Sequence, residues 1–305
     1  MERYSFRPAS HEDINTIHQL ITQQNILDFG DPLTTIEDIK RTWSGLTFNL
    51  ETDSQLAIAH NGEAAGYAEL RGKEDLFIYL SPNHQNLELS NHLLEFLNNS
   101  ARTKKTGAAP MELWGRAGFR NQVLIDMFMS NGFTSDISFL VMEIEMVKAP
   151  HIPQWPEGIQ VRPFVKGRDE QATYQADEEA AKDKGYHAPL SFEAWASRMG
   201  MDKESFDSSI WFLACEKKEI AGAALNVLKQ NTQTGWVDHL SVRREWRNKG
   251  IGRALLLHTF VEFFKRGIHT VKLSVDSKSL THAPRLYESV GMRTVQKYHV
   301  YKKVI

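Results

Sequence analysis

The sequence contains a single cysteine among 305 residues, Cys215, which lies in the apolar run WFLAC. One thiol excludes an internal disulfide, and its apolar neighbours favour a buried structural thiol over a nucleophile. No apolar run reaches the length of about 18 residues that a membrane span requires. The start, MERYSFRPAS, lacks the charged and then apolar order of a signal peptide. These absences predict a cytoplasmic protein with no membrane partner.

An excess of charge of either sign is also absent, since the net charge is −2 and the pI is near 6.6. This balance argues against nucleic acid as a partner and leaves a local nucleic-acid patch as a minor alternative. The twelve histidines form no HExxH motif, and the sequence has no Cys/His cluster, G-x-S-x-G elbow or G-x-x-x-x-G-K-[ST] loop. No metal site is therefore predicted.

Three prolines mark a connector near the middle of the chain, in KAPHIPQWPEG at residues 148–158. Proline is excluded from helix interiors and central strands, so this segment predicts a boundary between two domains, residues 1–147 and 159–305. The halves repeat one pattern at nearly constant separation: Arg7-Pro8 recurs as Arg162-Pro163, and MFMSNGF recurs as LYESVGM. We therefore expect two copies of one fold.

Each copy has the pattern of a mixed α/β sheet with helices packed on it. Two strands around a polar turn are predicted in each half, by LAIAHNGEAAGYAEL and by WFLACEKKEIAGAALNVL. Further strands are predicted for WVDHLSV and VKLSVD. Apolar residues from Gly250 to about Lys265 recur at helical spacing, and HAPRLYESVG predicts a short helix that Gly291 ends.

Two glycines stand where the helix after WVDHLSV begins, in REWRNKGIGR at residues 244–253. Glycine costs about 1 kcal/mol relative to alanine inside a helix, so Gly250 and Gly252 indicate a special backbone requirement. They allow a tight turn and leave the first helical amides uncovered. Free amides and the positive end of the helix dipole form an anion site, which suits a phosphate or pyrophosphate.

The arrangement R-x-x-G-x-G between strand and helix, followed by L-Y-E-S-V-G-M, resembles the GCN5-related N-acetyltransferase (GNAT) family. The resemblance covers both halves, so it implies two tandem GNAT folds. It further implies an acetyl-CoA-dependent N-acetyltransferase in which the primary amine of a small molecule attacks the thioester directly. A non-catalytic acyl-CoA-binding or sensing protein is the alternative.

The resemblance also implies roles for individual residues of the second half. The loop would cradle the pyrophosphate of acetyl-CoA, and the preceding strand would bond the pantetheine arm through its backbone. Tyr287 would donate a proton to the leaving thiolate. Leu280 and Ser279 stand where the family often has asparagine, so a contact is absent or is made by Ser279. The implied cofactor-binding residues are Leu240, Ser241, Val242, Arg247, Asn248, Lys249, Gly250, Ile251, Gly252, Arg253 and Ser279.

The general base stays open at this level. Asp238 alternates with Leu240 and Val242 along the strand and would share their face, whereas His239 would face the other way. Asp238 is the candidate catalytic base, but the pattern slightly favours reading either side chain as a partly exposed polar strand residue or as one paired with a neighbour.

The first half has lost the residues that carry this chemistry. Its loop is QNLELS, with Glu88 and Ser90 where the second half has Gly250 and Gly252, and Phe128 stands in place of Tyr287. We therefore expect residues 1–147 to be a degenerate, non-catalytic domain, and one acetyl-CoA to bind per chain, in the C-terminal domain. Trp43, Tyr186, Trp195 and Met199 are candidates for the acceptor cleft, although aromatic and Met side chains at helical spacing more often belong to the core.

Overall fold

The computed structural model describes residues 3–107, 109–182, 189–203, 206–279 and 282–305. The chain forms two compact units, Met1–Leu140 with Gln296–Ile305, and Val141–Val295. The sequence placed the boundary at the prolines of residues 148–158, a segment that carries no helix or strand. The division differs because two long strands, Thr134–Glu145 and Arg293–Val304, each begin in one unit and end in the other.

The first unit is a mixed sheet with helices packed on it, as the sequence predicted. Strands β1 to β4 follow one another antiparallel, β4 pairs parallel with β5, and the last strand of the chain, β12, pairs antiparallel with β5. The elements are β1 (Tyr4–Arg7), α1 (Ile14–Phe29), α2 (Ile36–Trp43), α3 (Leu50–Asp53), β2 (Ser54–Ala59), β3 (Ala64–Arg71), β4 (Asp75–Leu80), α4 (Leu87–Lys104), β5 (Glu112–Gly118), α5 (Gln122–Ser130), β6 (Thr134–Glu145) and β12 (Arg293–Val304).

The second unit repeats this order. Strands β7 to β10 are antiparallel neighbours, β10 pairs parallel with β11, and β6 lies next to β11. The elements are β7 (Ile159–Pro163), α6 (Glu170–Ala181), α7 (Phe192–Arg198), β8 (Phe212–Glu216), β9 (Glu219–Lys229), β10 (Thr234–Val242), α8 (Ile251–Lys265), β11 (Thr270–Asp276) and α9 (Ala283–Ser289).

The internal repeat extends to individual ion pairs. Arg7 contacts Asp13 at 2.7 Å and donates to the Pro8 carbonyl, and Arg162 contacts Asp169 and donates to the Pro163 carbonyl. Each pair ties the first strand of a unit to the start of its first helix. Among the described residues, no helix combines the length and the apolar character needed to cross a bilayer.

The predicted amphipathic helix is α8, whose buried side chains include Leu255, Leu256, Phe260 and Phe263. Its first turn packs with β8 and β9 through a cluster that contains Ile251, Leu255 and Ala224. This packing holds the N-terminus of α8 at the end of β10, where the loop from Arg247 to Gly250 connects the two elements.

Candidate active site

Strands β10 and β11 pair only along their first residues. The parallel register runs from Thr234 opposite Thr270 to Trp236 opposite Lys272, although β10 continues to Val242 and β11 to Asp276. Beyond these pairs, β9 is the strand to which β10 remains bonded in the described part of the chain. The backbone of β10 on the β11 side is therefore open at its carboxyl end.

The β9 ladder shows which backbone groups face this opening. Arg243 donates its N–H to the Ala221 carbonyl at 2.9 Å, and the register places Val242 opposite Gly222 and Leu240 opposite Ala224. In an antiparallel pair, bonded and non-bonded residues alternate, so Leu240 and Val242 direct their N–H and C=O groups away from β9. Ser241 is a bonded position, so its backbone groups face β9.

The loop between β10 and α8 has a backbone that suits glycine. Gly250 is the N-cap residue of α8 with φ of 85°, and Asn248 has φ of 61°. Within the described part of the chain, none of the N–H groups from Asn248 to Arg253 has a hydrogen-bond acceptor. Such a row of free amides at the positive end of a helix binds anions.

Two cations stand beside these amides. Lys249 and Arg253 are exposed, and neither forms an ion pair with any described residue. Arg247 has a different position, because its guanidinium donates to the Val242 carbonyl at 3.0 Å and to the Ala180 carbonyl at 3.1 Å. Its side chain thus ties the loop to β10 and to α6, while Lys249 and Arg253 supply the accessible positive charge.

Tyr287 lies on α9, which packs against α8. Its side chain is buried, and burial raises the pKa of its hydroxyl to about 12. Among the described residues the hydroxyl has no hydrogen-bond partner. A side chain added at Gly252 would meet Leu286, the neighbour of Tyr287, at 3.3 Å, so glycine at this position lets the two helices approach. Tyr287 is a protonated donor at neutral pH.

Ser279 lies in the turn before α9, where its N–H bonds the Asp276 carbonyl at 3.1 Å and its carbonyl accepts from His282 at 3.0 Å. Leu280, the other position considered for the asparagine contact, lies outside the described residues.

Asp238 is the extra residue of a β-bulge. Val237 pairs with Asn226, and His239 pairs with Leu225. Because Leu225 and Asn226 are adjacent in β9, no residue of β9 lies opposite Asp238. The bulge interrupts the alternation on which the sequence prediction relied. Val237, Leu240 and Val242 now share the α8 face, whereas Trp236, His239 and Ser241 share the opposite face. Asp238 itself is exposed.

Comparisons with known proteins agree with this geometry. The model of the acetyltransferase (GNAT) family matches residues 171–292. A GCN5-related N-acetyltransferase from Sphaerobacter thermophilus is 31% identical with a TM-score of 0.83, and the match covers 100% of this chain and 96% of that one. The chain belongs to the GNAT family.

Other relatives support the tandem layout. A mycothiol acetyltransferase from Thermobispora bispora is 26% identical over 83% of this chain and 84% of its own length. A tandem GNAT protein from the clavulanic acid biosynthesis pathway shares the fold, with a TM-score of 0.72 at 13% identity, over 99% of this chain and 98% of that one. The predicted family and the tandem fold are confirmed, and this GNAT chain is an acetyltransferase.

A polar cluster that sequence reasoning missed lies on the face of the GNAT sheet opposite α8. His239 Nδ1 lies 2.8 Å from Asp177 Oδ2, and Trp195 Nε1 donates to the same oxygen at 3.0 Å. Asp177 is one of the buried residues of α6, with Thr173 and Ala176. An acidic residue on the buried stripe of a helix was the available signal.

The other side chains that the sequence singled out in this GNAT chain are buried where the structure describes them. Cys215 is buried, and burial raises the pKa of its thiol, as expected for a structural cysteine. Trp43, Trp195 and Met199 are buried side chains, and Tyr186 lies outside the described residues. In the described ranges, no group of three or more His, Cys, Asp or Glu side chains is arranged to hold a metal ion.

Proposed function

We propose that this GNAT protein is an acetyl-CoA-dependent N-acetyltransferase that acetylates a primary amine of a small-molecule acceptor. It binds one acetyl-CoA per chain, in the second unit. The observation that carries the proposal is the row of amides from Asn248 to Arg253 at the start of α8, which have no acceptor among the described residues. The name of the relatives, mycothiol acetyltransferase, supports a small-molecule acceptor.

The residues of the second unit fit each part of acetyl-CoA. The free amides of the loop, with Lys249 and Arg253 beside them, hold the pyrophosphate. Leu240 and the N–H of Val242 offer backbone groups to the amides of the pantetheine arm, because β11 has diverged at that point. Bound acetyl-CoA supplies the activated acetyl thioester.

Tyr287 assists the departure of the thiol. Its pKa of about 12 keeps the hydroxyl protonated throughout the neutral range, and it has no described partner that would occupy the proton. Donation from a positioned acid contributes roughly 10²–10⁴ in rate. Asp238, exposed at the bulge, is retained as a candidate for accepting the proton of the amine.

Calorimetric titration with acetyl-CoA tests the binding part of the proposal. We expect saturation at one site per chain. Two sites per chain would show that the first unit also binds, and no binding would contradict the assignment of the loop.

Thiol release from acetyl-CoA tests the catalytic part. The amine panel comprises glucosamine, spermidine, a short peptide with a free N-terminus, and mycothiol from which the acetyl group has been removed. We expect release to depend on a small-molecule amine and mass spectrometry to show one added acetyl group. Binding without release for every amine would instead indicate a sensor.

A further inference from the structure

We propose that His239, oriented by Asp177, is the base that removes the proton from the acceptor amine. This inference rests on the proposed function and assigns the base to a residue on the face of the sheet opposite α8. It starts from the Asp177–His239–Trp195 cluster, which joins α6, β10 and α7.

The hydrogen bonds of Asp177 determine the tautomer of His239. Oδ2 of Asp177 accepts the indole N–H of Trp195 at 3.0 Å and lies 2.8 Å from Nδ1 of His239. An ionised carboxylate only accepts hydrogen bonds, so Nδ1 carries the proton of the neutral imidazole. Nε2 therefore carries the lone pair, and it has no hydrogen-bond partner among the described residues. The ring is held with its basic nitrogen available.

The bulge at Asp238 places His239 among polar groups that lack partners. Trp236, His239 and Ser241 share one face of β10 as a result of the extra residue. The indole N–H of Trp236 and the hydroxyl of Ser241 are about nine-tenths buried, and neither has a hydrogen-bond partner in the described structure. Buried polar groups are normally bonded, so two orphans flanking His239 indicate a site for a polar ligand.

The position relative to the opened strands suits proton removal. His239 is next to Leu240, whose backbone groups face the gap between β10 and β11, so the imidazole is adjacent to the expected thioester. The other charged groups described near this face are Asp177, the neighbouring Asp238, Lys272 on β11, which lies 3.3 Å from Glu143, and Arg243 at the end of β10, whose Nε donates to Glu179 of α6 at 2.7 Å. Lys272 and Arg243 are thus already paired with carboxylates, whereas Nε2 of His239 has no partner among the described residues.

The proposed step balances as follows. The amine nitrogen forms a bond to the acetyl carbon while the C–S bond breaks. His239 Nε2 takes the proton that the nitrogen loses, and the departing sulfur takes a proton from Tyr287 or from solvent. Asp177 stays ionised and stabilises the imidazolium that forms.

The test compares His239→Gln with a matched control, His258→Gln. His258 is a half-buried histidine of α8 that packs against Phe212 and Trp155, away from this face. With the panel amine that the wild-type protein acetylates fastest, we expect kcat of His239→Gln to fall about a hundredfold, with the acetyl-CoA Kd within about twofold of wild type. His258→Gln should keep wild-type kcat.

Two further variants separate a base from a structural role. Added imidazole should restore part of the kcat of His239→Ala and leave that of wild type unchanged. Asp177→Asn allows the amide to donate to Nδ1, which moves the ring proton to Nε2, so kcat should fall about tenfold or more while the variant stays folded.

Equal kcat for His239→Gln and His258→Gln, or no response of His239→Ala to imidazole, would overturn the inference. A loss of kcat in Asp238→Asn with His239→Gln unaffected would assign the base to Asp238 instead. A wild-type protein that acetylates no amine would contradict the proposed function itself, so the two failures are distinguishable.

Discussion

The two units begin equivalent helices in different ways. In the first unit, Asn86 is the N-cap of α4, and its side chain accepts the N–H of Leu89 at 2.9 Å. In the second unit, Gly250 is the N-cap of α8 and offers no side chain, so the amides stay free among the described residues. The first turn of α4 is capped by a side chain of the protein, whereas the first turn of α8 keeps the N–H donors that an anion needs.

The strands that precede these two helices end in a similar way in both units. Gln85 and Arg247 hold matching loop positions, and each donates to the carbonyl of the last strand residue, Leu80 at 3.1 Å and Val242 at 3.0 Å. In the first unit, Gln24 from α1 also approaches the N–H of Leu80 at 3.5 Å. The first position of the R-x-x-G-x-G pattern therefore braces the loop in both units.

The residues at the position of Tyr287 complete the comparison. Phe128 is 1% exposed, stacks on Tyr301 at 4.9 Å, and would lie 2.3 Å from a side-chain carbon added at Gly115. It is packed into the core, whereas the Tyr287 hydroxyl has no hydrogen-bond partner among the described residues. In the first unit, the residues at these positions pack or bond within the fold. In the second unit, the equivalent groups remain available to a ligand.

The largest effect should come from giving the second loop the residues of the first, in the variant Gly250→Glu, Gly252→Ser. A side chain at φ of 85° is strained, and a carboxylate near a phosphate costs about 4 kcal/mol at 4 Å, roughly a thousandfold in Kd. Calorimetry should show acetyl-CoA binding weakened at least about a hundredfold.

The matched control for strain is Gly267→Ala, at φ of 76° just beyond α8 and with open space around it. It should bind acetyl-CoA as wild type does. Normal affinity in a folded Gly250→Glu, Gly252→Ser protein would contradict the role of the loop.

Next in size is the effect of Asp28→Asn on the stability of the first unit. Burial raises the pKa of Asp28 from 3.8 to about 6, despite bonds from Gln24, Asn121 and Gly118. Because the carboxyl binds its proton more tightly in the folded state, its contribution to stability is fully present below pH 4. As the pH rises to about 6, this contribution is lost, and the free energy of unfolding falls by about 3 kcal/mol.

Asn at position 28 keeps an acceptor and carries no charge, so urea unfolding at pH 8 should show a gain in stability that is absent at pH 4. The exposed Asp126→Asn is the control, and it should unfold as wild type at both values. A pH-independent difference for Asp28→Asn would show that its charge is not the cause.

A smaller effect is expected for Tyr287→Phe, which makes the second unit resemble the first at this position. Turnover should fall tenfold or more, by roughly the range of a general acid, with the acetyl-CoA Kd unchanged. Tyr301→Phe, a buried tyrosine of the first unit, should leave turnover unaltered. Equal turnover in wild type and Tyr287→Phe would make the tyrosine structural.

The smallest effect should come from Arg247→Gln, which copies Gln85. The glutamine can keep the hydrogen bond to the Val242 carbonyl, so the acetyl-CoA Kd should change by no more than about threefold. Arg247→Ala loses this hydrogen bond, which contributes about 1 kcal/mol. Stopped-flow or calorimetric Kd values check this order. A large loss in Arg247→Gln would mean that its charge contacts the ligand.

Much of the fold could be predicted from the sequence. The proline-free runs with β-branched and apolar residues became β2, β3, β8, β9 and β11, and the apolar stripe after Gly250 became α8, because these signals are local. That β6 and β12 each have residues in both units could not be predicted, since strand pairing joins residues far apart in sequence.

The sequence by itself determined the glycine loop, because a glycine at a helix start exposes amides whatever surrounds it, and it determined the family through that motif. The tertiary structure decided the surroundings of His239 and Asp238. The bulge depends on how β10 pairs with β9, and it changes which side chains share a face. Asp177 reaches His239 across 62 positions of sequence, a contact that only the packing of α6 on the sheet brings about.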